Sequence, residues 1–278
     1  MSVRIVTDST CDLPPEIIDR YHIWVVPLYI NVGKQGFLDG IDITREDFYT
    51  RLPYFPVHPT TAAPSPDKFR ALYNALADEG ASEVLSIHIS ASMSAILDVA
   101  NLAARNTKSV PVTVLDSGQL SLGTGFLVET AAILAAQGYS ISQMLPVLNA
   151  QIKRTHVFAA LDTMEFLKRS GRVNGIIARL GSLLRIKPIM KMFDGTPSAE
   201  RVRTTSHATR RLVQLLAQVT PAERLAFVHT HALERVEELR RHAASLLPPG
   251  DILSVDITPV IGAHIGPGAA GFAVISAA

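Results

Sequence analysis

Val3-Arg4-Ile5-Val6-Thr7-Asp8-Ser9-Thr10 is an apolar run that ends in three polar residues. A buried strand of a parallel sheet reads this way, its polar side chains delivered at the carboxyl end. Glu83 to Ile89 reads as another strand, and Val110 to Leu115 as a third that ends in Asp116-Ser117. Trp24 to Asn31 reads as one more. Ser65-Pro66-Asp67 is a helix start: a capping hydroxyl, proline at the first helical position, then an acid in the first turn. Phe69, Leu72, Tyr73 and Leu76 follow at helical spacing, and Gly80 closes the helix. Ala95 to Arg105, Leu120 to Gln137 and Ile141 to Lys153 add helices. Strands alternating with helices predict a parallel sheet covered on both faces, its polar strand ends along one edge.

The second half changes rhythm. Val157 to Leu161 reads as a strand, and Asp162 as the cap of a short helix ending in Lys168-Arg169-Ser170-Gly171-Arg172. A helix from Asn174 to Leu184 follows. Ile186 to Phe193 and Glu200 to Thr204 flank the Asp194-Gly195 turn as a hairpin. Helix and strand pairs around Ala208–Val219, Leu225–Thr230, Glu234–Leu247 and Ile252–Ile257 complete it. The expectation is an α/β chain of two domains: residues 1–155 with a three-layer parallel sheet, residues 156–278 with a mixed sheet. No linker marks the boundary, so the two should pack closely around a cleft.

The chain has 278 residues, 47% of them hydrophobic, enough for substantial cores. Its 26 basic and 25 acidic residues nearly cancel, which argues against a general nucleic-acid binder. Between Gln151 and Arg211, however, 13 Lys/Arg face four Asp/Glu. That stretch is open to two readings, a docking face for an anionic partner or a solvated surface. Cys11 is the single cysteine, so an intrachain disulfide is excluded and a reducing compartment is expected. The first residues run directly into a strand without a secretory h-region, and Gly125 to Ala136 is too short to span a bilayer. The expected location is the cytoplasm.

Pro259 to Gly271 sets a lone histidine, His264, among glycines, prolines and small apolar residues. Such a segment suits a ligand-contacting loop before a final strand, Phe272 to Ser276, because glycine allows close backbone approach. His264 is then the one side chain there able to move a proton near neutral pH. A buried structural histidine in a tight connection fits equally well. Thr61, before the Pro64-Ser65-Pro66 helix start, and Ser94, at the mouth of the next helix, sit where free backbone N–H groups favour an anion. A turn residue and a simple cap are their bland readings, and a solvated cation is that of Arg172. Together the four suit a pocket for a small carboxylate or phosphate.

Other chemistry finds little support. No Walker loop occurs, and Gly123-Thr124-Gly125 lacks the third glycine of a dinucleotide fingerprint. His229-Thr230-His231 has no credible third metal ligand. Ser94 with His264 would suit a serine hydrolase, yet no Gly-x-Ser-x-Gly elbow surrounds Ser94, and either Asp8 or Asp116 would have to serve as the third member.

Over essentially its whole length the chain resembles the DegV family, which includes the fatty-acid-binding subunit of bacterial fatty acid kinase. The resemblance rests on Val6-Thr7-Asp8-Ser9-Thr10-Cys11-Asp12-Leu13, Val26-Pro27-Leu28, Asp39-Gly40, Thr61-Ala62-Ala63-Pro64-Ser65 and Ile89-Ser90-Ala91-Ser92-Met93-Ser94-Ala95. It continues through Val114-Leu115-Asp116-Ser117, Ser121-Leu122-Gly123-Thr124-Gly125, Leu167-Lys168-Arg169-Ser170-Gly171-Arg172-Val173 and His264-Ile265-Gly266-Pro267-Gly268. It implies a long acyl chain between two α/β domains, its carboxylate held by Thr61 and Ser94, with His264 and Arg172 nearby. It also implies a separate ATP-dependent kinase subunit that phosphorylates the bound fatty acid, so that this chain is a carrier. No catalytic residue, metal or cofactor of its own is expected, and membrane contact would be transient at most. Ala62 departs from the family pattern by removing a hydroxyl, and Met93-Ser94-Ala95-Ile96-Leu97 is more apolar than the usual turn.

Rival readings are an esterase or thioesterase using Ser94 and His264, and a lipid sensor or transporter without a kinase. Aliphatic residues from Ile176 to Ile189 are candidate tunnel wall, although core packing explains them equally well.

Overall fold

The computed structural model describes residues 2–171 and 186–277. The first half runs β1 (Val3–Asp8), α1 (Pro15–Arg20), β2 (Trp24–Val26), β3 (Tyr29–Val32), β4 (Gln35–Leu38), α2 (Arg45–Arg51), β5 (Thr60–Ala62), α3 (Pro66–Asp78), β6 (Glu83–His88), α4 (Ile96–Asn106), β7 (Val112–Asp116), α5 (Leu122–Ala136) and α6 (Ile141–Ile152). The second half runs β8 (Thr155–Ala160), α7 (Glu165–Ser170), β9 (Lys187–Phe193), β10 (Thr196–Val202), α8 (Thr205–Gln218), β11 (Ala222–His229), α9 (Leu233–Ala243), β12 (Ser254–Asp256), α10 (Pro259–Ile265) and β13 (Ala270–Ser276).

Two large sheets carry the α/β fold. The first is wholly parallel in the order β2-β1-β6-β7. The second is mixed, in the order β10-β9-β8-β13-β11-β12, with β11 and β12 its parallel pair. Layers alternate. One core cluster joins α2, α3 and α4 to one face of the first sheet through Phe48, Phe69, Tyr73 and Ile96. A second cluster runs from the other face of that sheet through α5 and α6 to Val157, Val228 and Ala273 of the mixed sheet. The far face of the mixed sheet is closed by α8 and α9 over Phe158, Phe227 and Phe272. Helix α5 lies inside this stack, so it is apolar nearly all round and buries ten of its residues. Its one acid, Glu129, meets Arg224 of β11 at 2.5 Å, which explains a carboxylate within so apolar a helix.

Four local readings need correction. Ser65 is the N-cap residue of α3, but its hydroxyl makes no capping hydrogen bond. The strand expected over Trp24–Asn31 is two strands, β2 and β3. Pro27 has no N–H with which to continue a ladder. Beyond it the chain enters a separate antiparallel sheet, β4-β3-β5, that hydrophobic periodicity does not reveal. Asp162 does not cap α7, whose first N–H is met by Thr163 Oγ1 at 3.1 Å. The Asp162 carboxylate is drawn to Lys187 and Arg235. Pro259 to Ile265 is a helix rather than a loop. Pro259 is preset for its first turn, the Thr258 hydroxyl caps it by accepting from Val260 N–H, and Gly266 ends it at φ 76°. The Asp194-Gly195 turn does join an antiparallel hairpin, although β10 starts at Thr196. The helix expected over Asn174–Leu184 lies outside the described residues.

Candidate functional site

Thr10 and Ile89, just beyond the carboxyl ends of β1 and β6, line a cavity of about 300 Å³ together with residues of the mixed sheet. That is the lower end of the size range of small-molecule pockets, roughly 300–1,000 Å³. Strand alternation builds its floor. Val157 and Ala159 of β8 pair with Met192 and Met190 of β9, and all four line the cavity. Their neighbours Phe158 and Ile189 point to the opposite core. Ile189 is therefore not tunnel wall, and residues 176–185 of that candidate wall lie outside the described residues. The first half supplies Leu28, Ile89, Met93 and Leu120.

Against this apolar lining stand a few polar side chains. Thr61 is on β5, paired with Ile30 of β3 and so held in the small antiparallel sheet. His264 is in the last turn of α10. These residues are 203 positions apart, and their Thr61 Oγ1 and His264 Nε2 atoms meet at 2.8 Å. Ser94 lines the same cavity from the turn before α4, its Oγ accepting from Ile96 N–H at 3.2 Å. Three of the four sequence candidates thus share one apolar chamber. Arg172, the fourth, lies outside the described residues.

A half-buried hydroxyl pair and imidazole facing a mostly aliphatic cavity offer hydrogen bonds to one polar group, and Thr10 and Lys191 are the other polar residues of the lining. Among the described residues Ser94 does not hydrogen-bond His264. Neither acid considered as a third member approaches His264. Asp116 accepts from Ala91 and Gly118 N–H. Asp8 is held elsewhere, its Oδ2 against His88 Nδ1 at 2.8 Å.

That second pairing continues inward. His88 Nε2 meets Ser86 Oγ at 2.7 Å, and Tyr73 OH donates to Ser86 Oγ at 2.9 Å. Burial raises the Tyr73 phenol to about 12, so it stays a neutral donor. Asp8 Oδ1 accepts both the N–H and the hydroxyl of Thr10. A buried carboxylate requires such partners. Thr10 also lines the cavity, which connects this chain to the chamber. Sequence reasoning missed Thr10, Met93, Met190 and Met192 as lining. The Met190-x-Met192 alternation was the available signal for the last two.

Among the described residues no group of three or more His, Cys, Asp or Glu is placed to hold a metal ion, and no helix is long and apolar enough to cross a membrane.

Comparison with known proteins follows the same lines. A model of the DegV family, described as an uncharacterised protein, matches residues 2–277. A DegV domain-containing protein of Streptomyces coelicolor is 33% identical over 99% of this chain and 98% of its own length. A structure of a DegV family protein from Thermus thermophilus, described for its fatty acid binding, is 35% identical with a TM-score of 0.90, each chain covered in full. DegV of Bacillus subtilis, described as a fatty acid binding protein, is 27% identical with a TM-score of 0.90, again over the whole of both chains.

Proposed function

The chain belongs to the DegV family, and on that footing we propose that it binds one long-chain fatty acid between a first domain, residues 1–155, and a second, 156–278. The carboxylate lies at Thr61, Ser94 and His264, and the tail runs along Val157, Ala159, Met190 and Met192. The observation that carries this reading is the chamber itself: about 300 Å³ walled by aliphatic side chains, with its polar groups on a few lining residues. Relatives described as fatty acid binding support the ligand class.

The energetics are adequate. About 14 methylenes leaving water contribute roughly 11 kcal/mol at ~0.8 kcal/mol each. Lost motion and head-group desolvation offset a large share. A carboxylate moved into such a site needs charge-assisted hydrogen bonds, and the Thr61 and Ser94 hydroxyls with the His264 ring supply donors of that kind. Methionine walls adapt to a flexible chain better than branched ones.

In the fuller form of the proposal the protein is a cytoplasmic carrier, with no metal or cofactor and no nucleic acid partner. It offers the carboxylate to a separate ATP-dependent kinase subunit, which forms the acyl phosphate. Arg172 assists phosphoryl transfer or docking. Membrane contact is transient at most.

Native mass spectrometry of the purified protein, followed by denaturation, tests the ligand: a released fatty acid is expected, and a ligand of another class would overturn the reading. Ser94→Ala should lower fatty acid affinity about tenfold or more without unfolding the protein, which loses only the Oγ contact to Ile96 N–H. Incubating the loaded protein with ATP and a fatty acid kinase subunit, then trapping with hydroxylamine, should yield acyl hydroxamate; none would leave the binding but remove the kinase step.

A further inference from the structure

Asp12 and Asp39 are buried carboxylates of the first half that do not line the cavity. Buried charges are retained where partners compensate them; Arg45, Ser121 and Ser9 of the first half supply part of that compensation, and Thr258, which leads into α10, reaches both carboxylates. Thr258 N–H donates to Asp12 Oδ1 at 2.8 Å, and the Thr258 hydroxyl donates to Asp39 Oδ2. Arg45 bridges, with Nη2 on Asp12 at 3.1 Å and Nη1 donating to the Asp256 carbonyl at 2.6 Å. Tyr49 OH donates to the Ile257 carbonyl at 2.8 Å. Its ring lies so close beneath Gly262 that a Cβ there would collide with it. Ser121 of the first half completes Asp12 at 2.5 Å.

Asp256, Ile257 and Thr258 are thus each gripped from elements 200 or more positions earlier. Thr258 is the N-cap of α10, and His264 lies in the last turn of the same seven-residue helix. At about 1.5 Å per residue the two are roughly 9 Å apart along a rigid rod. Displacing the cap displaces the imidazole.

We propose that Asp12, Asp39 and Arg45 form a latch across the seam between the two halves, and that these positioning residues set His264 against Thr61 through Thr258. Parting the seam to admit or release an acyl chain then withdraws His264 from the head group in the same movement. The ligand named here rests on the fatty acid reading above; the positioning of His264 does not.

The test pairs Thr258→Val, which keeps the shape and loses the hydroxyl, with Thr258→Ser, which restores it. Two readouts are taken: the His264 ring resonance in the unliganded protein by NMR, and release of cis-parinaric acid by stopped flow. Thr258→Val should shift the His264 resonance and speed release at least about tenfold, and Thr258→Ser should return both toward wild type. A folded Thr258→Val with an unmoved resonance and wild-type release overturns the latch. Should that variant fail to fold, Asp39→Asn takes its place with the same two expectations. Misfolding of both would also overturn the proposal, making the cluster a folding element. If wild-type protein takes up no parinaric acid, the fatty acid reading fails, and the His264 resonance alone decides the latch.

Discussion

The two faces of the mixed sheet are built from the same strands and differ in what they leave unfilled. One face packs Phe158, Ile189, Phe227 and Phe272 under α8 and α9. The other presents Val157, Ala159, Met190, Met192 and Val228 to a cavity. A closed core needs rigid, bulky side chains that interdigitate to near crystalline density. A ligand chamber needs walls too small or too pliable to close on themselves. Side-chain size on alternate residues of one strand decides which face becomes which.

The largest effect expected from this contrast falls on the filled face. Phe272→Ala should cost about 3–5 kcal/mol of stability, since its ring contacts both Phe158 and Phe227. Urea unfolding measures it, and a cost below about 1 kcal/mol would erase the distinction between the faces.

Next comes the seam beside the open face. Burial raises the Asp12 carboxyl to about 6, against the downward pull of Arg45, Ser121 and the Thr258 N–H. The folded protein therefore holds this proton more tightly than the unfolded chain does. The group's stability contribution is full below about pH 4 and is lost as the pH rises through about 6. Asp12→Asn removes the dependence. Its stability relative to wild type should improve between pH 4 and pH 7 by on the order of 3 kcal/mol. Parallel pH profiles for the two proteins would show that Asp12 is not held as described.

The smallest effect sharpens the comparison most. Ala159→Leu adds bulk to the open face, so it should weaken fatty acid binding about tenfold and shift stability by less than about 1.5 kcal/mol. The same enlargement at Ala160, which belongs to the filled face, should destabilise by about 1–3 kcal/mol and leave binding alone. Titration calorimetry beside thermal melts separates the pair, and identical outcomes would break the distinction.

The Val3–Asp8 strand, the Pro66 helix start and the Asp194-Gly195 hairpin were legible because each depends on neighbours in sequence: a run of apolar residues, a preset φ, a turn that tolerates positive φ. The split at Pro27 was legible in principle, whereas the separate sheet beyond it was not, since β3 pairs with strands on either side through contacts that periodicity does not encode. Pro259–Ile265 misled because Gly262 and the glycines just after it, Gly266, Gly268 and Gly271, suggest a loop. Gly262 is there to let the Tyr49 ring approach a helix.

By itself the sequence determined the α/β alternation, the mixed character of the second sheet, and Thr61, Ser94 and His264 as residues worth watching. Only the tertiary structure decided that Thr61 and His264 would meet at 2.8 Å and that a chamber would stay open beside them. Periodicity and capping are local energies, written within a few residues of one another. A void and a contact across 203 positions depend on how the two halves pack, and short-range pattern carries no record of that sum.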